Sequence, residues 1–202
     1  MKKLHQAFTL LVLAILLAAC GKTEPPQQKF SGVDITGSPW GKDFSLTDHN
    51  GRPRSVADFK GKAVVLFFGY TNCPDMCPMT MYKLATAMEK LGSDAERVQV
   101  LFITLDPERD TPEILRQYVP AFHPDFLGMY GNAQTTQETA KEFKIFYQHQ
   151  KPDTNGFYTV DHMGPSFVFD PQGRLRLFIA DQHSADMIAQ DLRTLLKGRG
   201  TT

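Results

Sequence analysis

Seven consecutive apolar residues, Ala63-Val64-Val65-Leu66-Phe67-Phe68-Gly69, constrain the fold more than any other stretch of this chain. Successive strand residues point to opposite faces of a sheet, so a run that is apolar at every position has to be covered on both sides. This run therefore reads as a central strand. The remaining pattern switches repeatedly between short β-branched or aromatic runs and longer segments of helical spacing, which is the signature of an α/β architecture with a central sheet flanked by helices. Val98 to Thr104 is a second central strand, and Leu84, Ala87, Met88 and Leu91 recur at helical spacing. Thr111-Pro112-Glu113 reads as an N-cap with proline at the first helical position, followed by the apolar residues Ile114, Leu115 and Tyr118. Thr135 to Phe143 and Ser184 to Leu196 read as further helices, and Ser166 to Phe169 and Leu175 to Ile179 as strands around the turn Asp170-Pro171-Gln172-Gly173. Ahead of all these, Phe44 to Leu46 and Ser55-Val56 flank Asp48-His49-Asn50-Gly51, an N-terminal hairpin.

The ends of the chain bear on where it works. Lys2 and Lys3 precede an apolar run from Ala7 to Leu17 that closes on the small residues Ala18 and Ala19 before Cys20. A spanning helix needs about 20 apolar residues, so this shorter run reads as a cleaved signal peptide. Leu17-Ala18-Ala19-Cys20 resembles a bacterial lipobox, which implies lipidation of Cys20 and a membrane-anchored domain outside the cytoplasm. An ordinary secretion signal with a coincidental cysteine is the alternative. Gly21 follows the cysteine where an aspartate would mark inner-membrane retention, so the choice of membrane stays open. The expected organisation is a signal peptide over 1–19, a lipidated cysteine and Gly/Pro/Gln/Ser-rich tether over 20–39, and one domain over 40–200. With 22 basic and 22 acidic side chains in 202 residues, and no basic stripe, nucleic acid is excluded as a partner.

The chemistry concentrates in Gly69-Tyr70-Thr71-Asn72-Cys73-Pro74-Asp75-Met76-Cys77-Pro78, where the first central strand ends and a helix begins. Pro78 disfavours helical dihedrals at Cys77, so the spacing predicts a helix starting at Pro78 and a loop carrying both thiols. A helix N-terminus stabilises a thiolate, the form that both metal ligation and disulfide exchange require. Thiolates select soft ions such as Cu(I) or zinc. A stabilising disulfide between Cys73 and Cys77 is the plain alternative in an exported protein, although so short a loop restrains little chain entropy.

Two sulfurs need at least one further ligand, and the chain has six histidines. His5 leaves with the signal, His49 sits in the hairpin turn, His123 precedes a proline, His149 lies in a polar stretch and His183 stands at the start of the last helix. His162, in Asp161-His162-Met163-Gly164-Pro165, lies at a strand mouth that can face the cysteine loop, though a lone histidine is as readily structural. Asp106, Arg109 and Asp110 form a second polar cluster at the end of the other central strand. They read either as helix-start chemistry or as a recognition rim for a partner or support behind the ligands. Met76 and Met79 offer soft thioethers near the cysteines, although methionine there is ordinarily packing filler.

From about Asp43 to Leu196 the chain resembles the Sco/SenC family of copper-binding assembly factors for cytochrome c oxidase. The resemblance is carried in order by Phe44-Ser45-Leu46-Thr47-Asp48, by Phe68-Gly69-Tyr70-Thr71, by Cys73-Pro74-Asp75-Met76-Cys77-Pro78, by Thr104-Leu105-Asp106-Pro107-Glu108-Arg109-Asp110-Thr111-Pro112 and by Val160-Asp161-His162. It implies a thioredoxin-like fold and one copper, Cu(I) or Cu(II), per chain, held by Cys73, Cys77 and His162. It implies as partners the oxidase subunit bearing the binuclear copper site, other periplasmic copper chaperones or thiol reductants, and the membrane through the lipid anchor. Two functions fit: a copper metallochaperone, and a thiol-disulfide oxidoreductase using Cys73 and Cys77 as a redox-active pair on the oxidase copper-site cysteines or other clients. His162 separates them, because ligation needs it and dithiol exchange does not. Copper affinity should fall on acidification, since protons compete for all three ligands. Pro165 departs from many family members and resembles the cis-proline beside a thioredoxin redox motif, where with Asp161 it would shape the presentation of His162.

Overall fold

A computed structural model describes residues 29–198; the signal peptide, Cys20 and the first part of the tether lie outside them. The elements in chain order are β1 (Val33–Asp34), β2 (Leu46–Asp48), β3 (Pro53–Arg54), β4 (Ala63–Gly69), α1 (Met76–Leu91), β5 (Val98–Thr104), α2 (Pro112–Tyr118), β6 (Leu127–Tyr130), α3 (Ala133–Glu142), β7 (Tyr147–His149), β8 (Val160–His162), β9 (Ser166–Phe169), β10 (Leu175–Ile179) and α4 (Ala185–Lys197). Eight strands form one mixed sheet in the order β1-β10-β9-β4-β5-β6-β2-β3, while β7 and β8 form a separate hairpin. The apolar run from Ala63 does lie at the centre: β4 pairs parallel with β5 and antiparallel with β9, and every residue of it is buried.

The two faces of β4 carry different cores. Phe67 meets Phe102 of β5, which meets Tyr118 at the end of α2. Phe68, one residue on, meets Phe143 and Phe167, and Phe143 also packs on Phe169. Burial of each such ring contributes about 2 kcal/mol. Helix α1 turns Leu84, Ala87, Met88 and Leu91 inward and packs against α4, whose inward face is Ile188, Ala189, Leu192, Leu195 and Leu196. Thr111 caps α2, its hydroxyl accepting the Ile114 amide, with Pro112 opening the helix.

Two expectations need correction. The segment assigned to the tether through residue 39 is held to the domain from residue 31 onward. Val33 and Asp34 pair with Phe178 and Leu177 of β10, and the amides of Ser31 and Gly32 donate to the buried Asp191 carboxylate at 2.8 Å each. Gly/Ser-rich composition does not forbid this, because an edge strand is held by backbone hydrogen bonds that need no large side chains. Helix α1 begins at Met76, two residues before Pro78. Proline is tolerated in a first turn, whose amides have no intrahelical acceptor, so Cys77 stands within the helix and Cys73 alone in the loop.

Candidate metal centre

Strand β4 ends at Gly69, and the chain runs through Tyr70 and Thr71 into the Cys73 loop. The loop closes on itself: the Cys73 amide donates to the Tyr70 carbonyl at 3.3 Å, and the Cys77 amide points at the Cys73 sulfur at 3.4 Å. Cys77 in the first turn of α1 is fully buried, while Cys73 is half-buried, and both are free thiols. From the other side, the β7–β8 hairpin delivers His162 at its last paired position, opposite Tyr147. The His162 Nε2 lies 3.4 Å from the Cys77 Sγ, its Nδ1 lies 2.9 Å from the Met163 carbonyl, and its ring meets Tyr70 edge-on at 5.9 Å. Ligand atoms of Cys73, Cys77 and His162 all lie within 4.8 Å of one another, and no other such cluster of three occurs among the described residues. Donors bound about 2.0–2.3 Å from one ion stand roughly 3–4 Å apart, so only a slight contraction separates this arrangement from a closed three-donor site. Two thiolates and an imidazole are a soft donor set.

The two thiols have different proton affinities. The Cys77 thiol donates to Cys73, and with the amides of Asp75 and Cys77 and the charge of His162 this pushes Cys73 down to about 5, against a desolvation that acts the other way. The same hydrogen bond, together with burial, pushes Cys77 up. A depressed thiol contributes stability that is complete above the ordinary value of 9.0 and is lost as the pH falls through about 5. Alkylation of the reduced chain with iodoacetamide is therefore expected to modify Cys73 first, with a rate whose midpoint lies near pH 5, and to spare the buried Cys77. Equal reactivity of the two thiols, or a midpoint near 9, would contradict this geometry.

Gly69 is where backbone and sulfur meet. A Cβ there would lie 2.9 Å from the Cys77 Sγ and 2.9 Å from the Phe102 ring. Gly69→Ala is thus expected to cost about 1–3 kcal/mol by overpacking and to push Cys77 off its present position. Thermal unfolding and metal titration read the two effects separately.

The second polar cluster stands behind the three candidate donors. Asp106 and Asp110 are buried, which rules out a recognition rim made of their carboxylates. Asp110 accepts from the Thr71 amide, the Thr71 hydroxyl and the Thr104 hydroxyl, at 3.0, 2.5 and 2.6 Å, and so fixes the chain two residues before Cys73. Asp106 accepts from Arg109 Nε at 2.5 Å and from the Tyr158 hydroxyl at 2.9 Å. Arg109 also donates to the Tyr158 carbonyl and lies 3.5 Å over its ring, which fixes the chain four residues before His162. One loop after β5 thereby anchors both segments that carry the candidate donors. Burial and the bond to Asp106 raise the Tyr158 phenol to about 12, so it stays a donor. Asp161 faces outward and accepts from the Gln150 side chain at 2.6 Å. Pro165 is buried, and its peptide bond is trans, as are all the described peptide bonds.

Sequence reasoning passed over Tyr70, Tyr158 and His149. His149 stands 3.6 Å from Asp106 through Nε2, on the same hairpin as His162. The period-two register of Tyr147-Gln148-His149 against Val160-Asp161-His162 was the available signal, obscured by the polar segment between the two strands.

The family model described as SCO1/SenC matches residues 33–197. The mitochondrial SCO2 homologue of Mus musculus is 37% identical over 153 residues, covering 75% of this chain. The match spans 60% of that relative's own length. Among solved structures, apo Sco1 of Thermus thermophilus superposes with a TM-score of 0.74 at 40% identity, over 85% of this chain and 99% of that one. ScoI of Bradyrhizobium japonicum, solved with copper bound, superposes with a TM-score of 0.70 at 32% identity, over 76% of this chain and 98% of that one. The fold is thus the thioredoxin-like fold shared with these proteins, with its mixed central sheet and flanking helices.

Proposed function

The chain belongs to the SCO1/SenC family, and from that premise we propose that it is a copper metallochaperone for assembly of the binuclear copper site of cytochrome c oxidase. One copper, Cu(I) or Cu(II), is held by Cys73, Cys77 and His162 and leaves by ligand exchange to the oxidase subunit that carries that site. The observation behind this reading is the convergence of two cysteines and one histidine within 4.8 Å from separate elements. Copper bound to the Bradyrhizobium relative supports it further. Copper donors on this reading are other chaperones of the same compartment, and thiol reductants keep the pair reduced. The chain is anchored through a lipid on Cys20 and works outside the cytoplasmic membrane, a reading that rests on the sequence of residues 1–20. Among the described residues no helix is long and apolar enough to cross a membrane.

A second reading has its own support in the unequal thiols. A Cys73 thiolate, half-buried and depressed to about 5, can attack a client disulfide and expel one client thiolate. Cys77 then attacks the Cys73 sulfur, which releases the second client thiol and leaves a Cys73–Cys77 disulfide. The client gains two electrons and the pair loses them.

Titration of the reduced full-length chain with Cu(II) and with Cu(I) separates the readings. One copper per chain, with thiolate-to-Cu(II) charge-transfer absorption, is the expected result. Absence of a stable copper complex, with ready reduction of a model disulfide, would turn the assignment to the oxidoreductase.

A further inference from the structure

Two methionines flank the ligands without joining the core. Met76 directly precedes Cys77 and Met163 directly follows His162, and they are 45% and 49% exposed. Large apolar side chains are ordinarily covered, and neither of these packs into either face of the sheet. Both instead line one cleft of about 330 Å³ whose wall also includes His162, Pro165, Phe178 and Asp181. Gly164 lets the Asp181 carboxylate close in: a Cβ at that position would stand 2.8 Å from each carboxylate oxygen. Lys83 engages Asp181 through its main-chain carbonyl. The cleft is therefore lined by two methionines, His162 and the Asp181 carboxylate, and it adjoins the cysteine pair through His162, whose Nε2 lies 3.4 Å from the Cys77 Sγ.

A thioether is a soft donor without a proton to lose, so it takes up Cu(I) without competition from acid and releases it readily to a thiolate. Building on the copper reading above, we propose that Met76 and Met163 form with His162 a receiving subsite for Cu(I), from which the ion passes to Cys73 and Cys77. The step is ligand exchange. Bonds from copper to the two thioether sulfurs break as bonds to the Cys73 and Cys77 sulfurs form, His162 keeps its bond, any thiol proton goes to water, and copper remains Cu(I). The subsite suits a donor that presents Cu(I) on weak neutral ligands.

The test uses the full-length chain with methionine methyl groups labelled with carbon-13. In the Cys73→Ser/Cys77→Ser variant, Ag(I), a redox-inert stand-in for Cu(I), is expected to shift the methyl signals of Met76 and Met163 ahead of those of Met79 and Met187, which are also exposed. Adding Met76→Leu/Met163→Leu, a swap that keeps volume and apolarity, is expected to abolish that early response. On the wild-type background the same leucine pair is expected to slow Cu(I) uptake from a bicinchoninate complex about tenfold. Methyl signals that do not move, signals of all exposed methionines that move together, or an unchanged uptake rate would overturn the subsite. The silver titration needs no cysteine, so it decides this proposal even if the wild type proves to hold no copper at its thiols.

Discussion

Cys77→Ser is expected to abolish the thiolate-to-Cu(II) charge-transfer band and to weaken Cu(I) binding by about a thousandfold, or ~4 kcal/mol. The serine hydroxyl is nearly isosteric but hard, and a soft ion gains little from it. Of the three candidate donors, Cys77 has the least freedom to be replaced. It is fully buried in the first turn of α1, held against Gly69 on one side and 3.4 Å from the His162 Nε2 on the other, so no water or neighbouring donor can take its position without displacing core atoms. His162→Ala is expected to cost less, yet more than the roughly 10–100-fold typical of residues that only orient a ligand. The half-exposed site leaves room for solvent where the imidazole was. Competition titration against a Cu(I) chelator measures both constants, and near-UV circular dichroism checks that each variant keeps its packing. If His162→Ala binds copper as tightly as the wild type, ligation by three donors fails and the dithiol alone carries the function.

Of the candidate donors, Cys73 and Cys77 were legible because they sit in a short motif at a strand end, where open α/β sheets carry their sites, whereas His162, as readily structural when read alone, was singled out only by the family resemblance. Strands β4, β5, β9 and β10 of the sheet were legible from their apolar runs, while β6 and β1 were not. Ala63–Gly69 and Val98–Thr104 are apolar at almost every position, and only a strand covered on both faces asks for that. What escaped were elements whose order comes from partners far along the chain. Strand β1 is two residues long and exists because it pairs with β10 far along the chain and because the Asp191 carboxylate accepts the amides of Ser31 and Gly32 just before it. The β7–β8 hairpin has no apolar alternation of its own, and its closure by Arg109 and Asp106 links residues about 50 positions apart. Helix α1 starts before Pro78 because first-turn amides have no intrahelical acceptor to lose, which outweighs the restriction that proline places on its predecessor.

The same long-range contacts alter what Asp106, Arg109 and Asp110 are for. Read locally, an aspartate before Thr-Pro is a helix-start residue, yet Thr111 performs the capping of α2 itself. Asp110 is thereby free to accept from Thr104 at the end of β5 and from Thr71 beyond the end of β4, while Asp106 and Arg109 reach to Tyr158. The loop after β5 touches neither sulfur nor imidazole directly through these bonds, but it sets the separation between the segment carrying Cys73 and the segment carrying His162. Mutation here should therefore act on stability and metal affinity together.

Asp110→Ala is expected to destabilise the reduced, metal-free chain by about 3–4 kcal/mol, a large part of the roughly 5–15 kcal/mol available to a domain. The truncation strands the Thr71 amide and the Thr71 and Thr104 hydroxyls, which now share one buried carboxyl group. Asp110→Asn should cost far less. Its amide oxygen can accept from the Thr71 amide and the Thr104 hydroxyl, and its NH2 can donate to the Thr71 hydroxyl oxygen, so every partner stays satisfied. The pair of variants also tests a titration. Burial raises the folded Asp110 carboxyl above the ordinary 3.8, so over the interval between the two values the folded chain binds the proton and the unfolded chain does not. Stability from this group is then complete below 3.8 and is lost as the pH rises through the folded value. Asparagine stays neutral throughout, so denaturant unfolding at stepped pH should show a decline in the wild type that Asp110→Asn removes. Copper affinity should follow the anchor: Asp110→Ala loosens Thr71, two residues before Cys73, and is expected to weaken binding about 10–100-fold, while Asp110→Asn keeps it near the wild-type value. An alanine variant as stable as the wild type, or one that loses stability but binds copper unchanged, would mean that the loop after β5 does not set the geometry of the site.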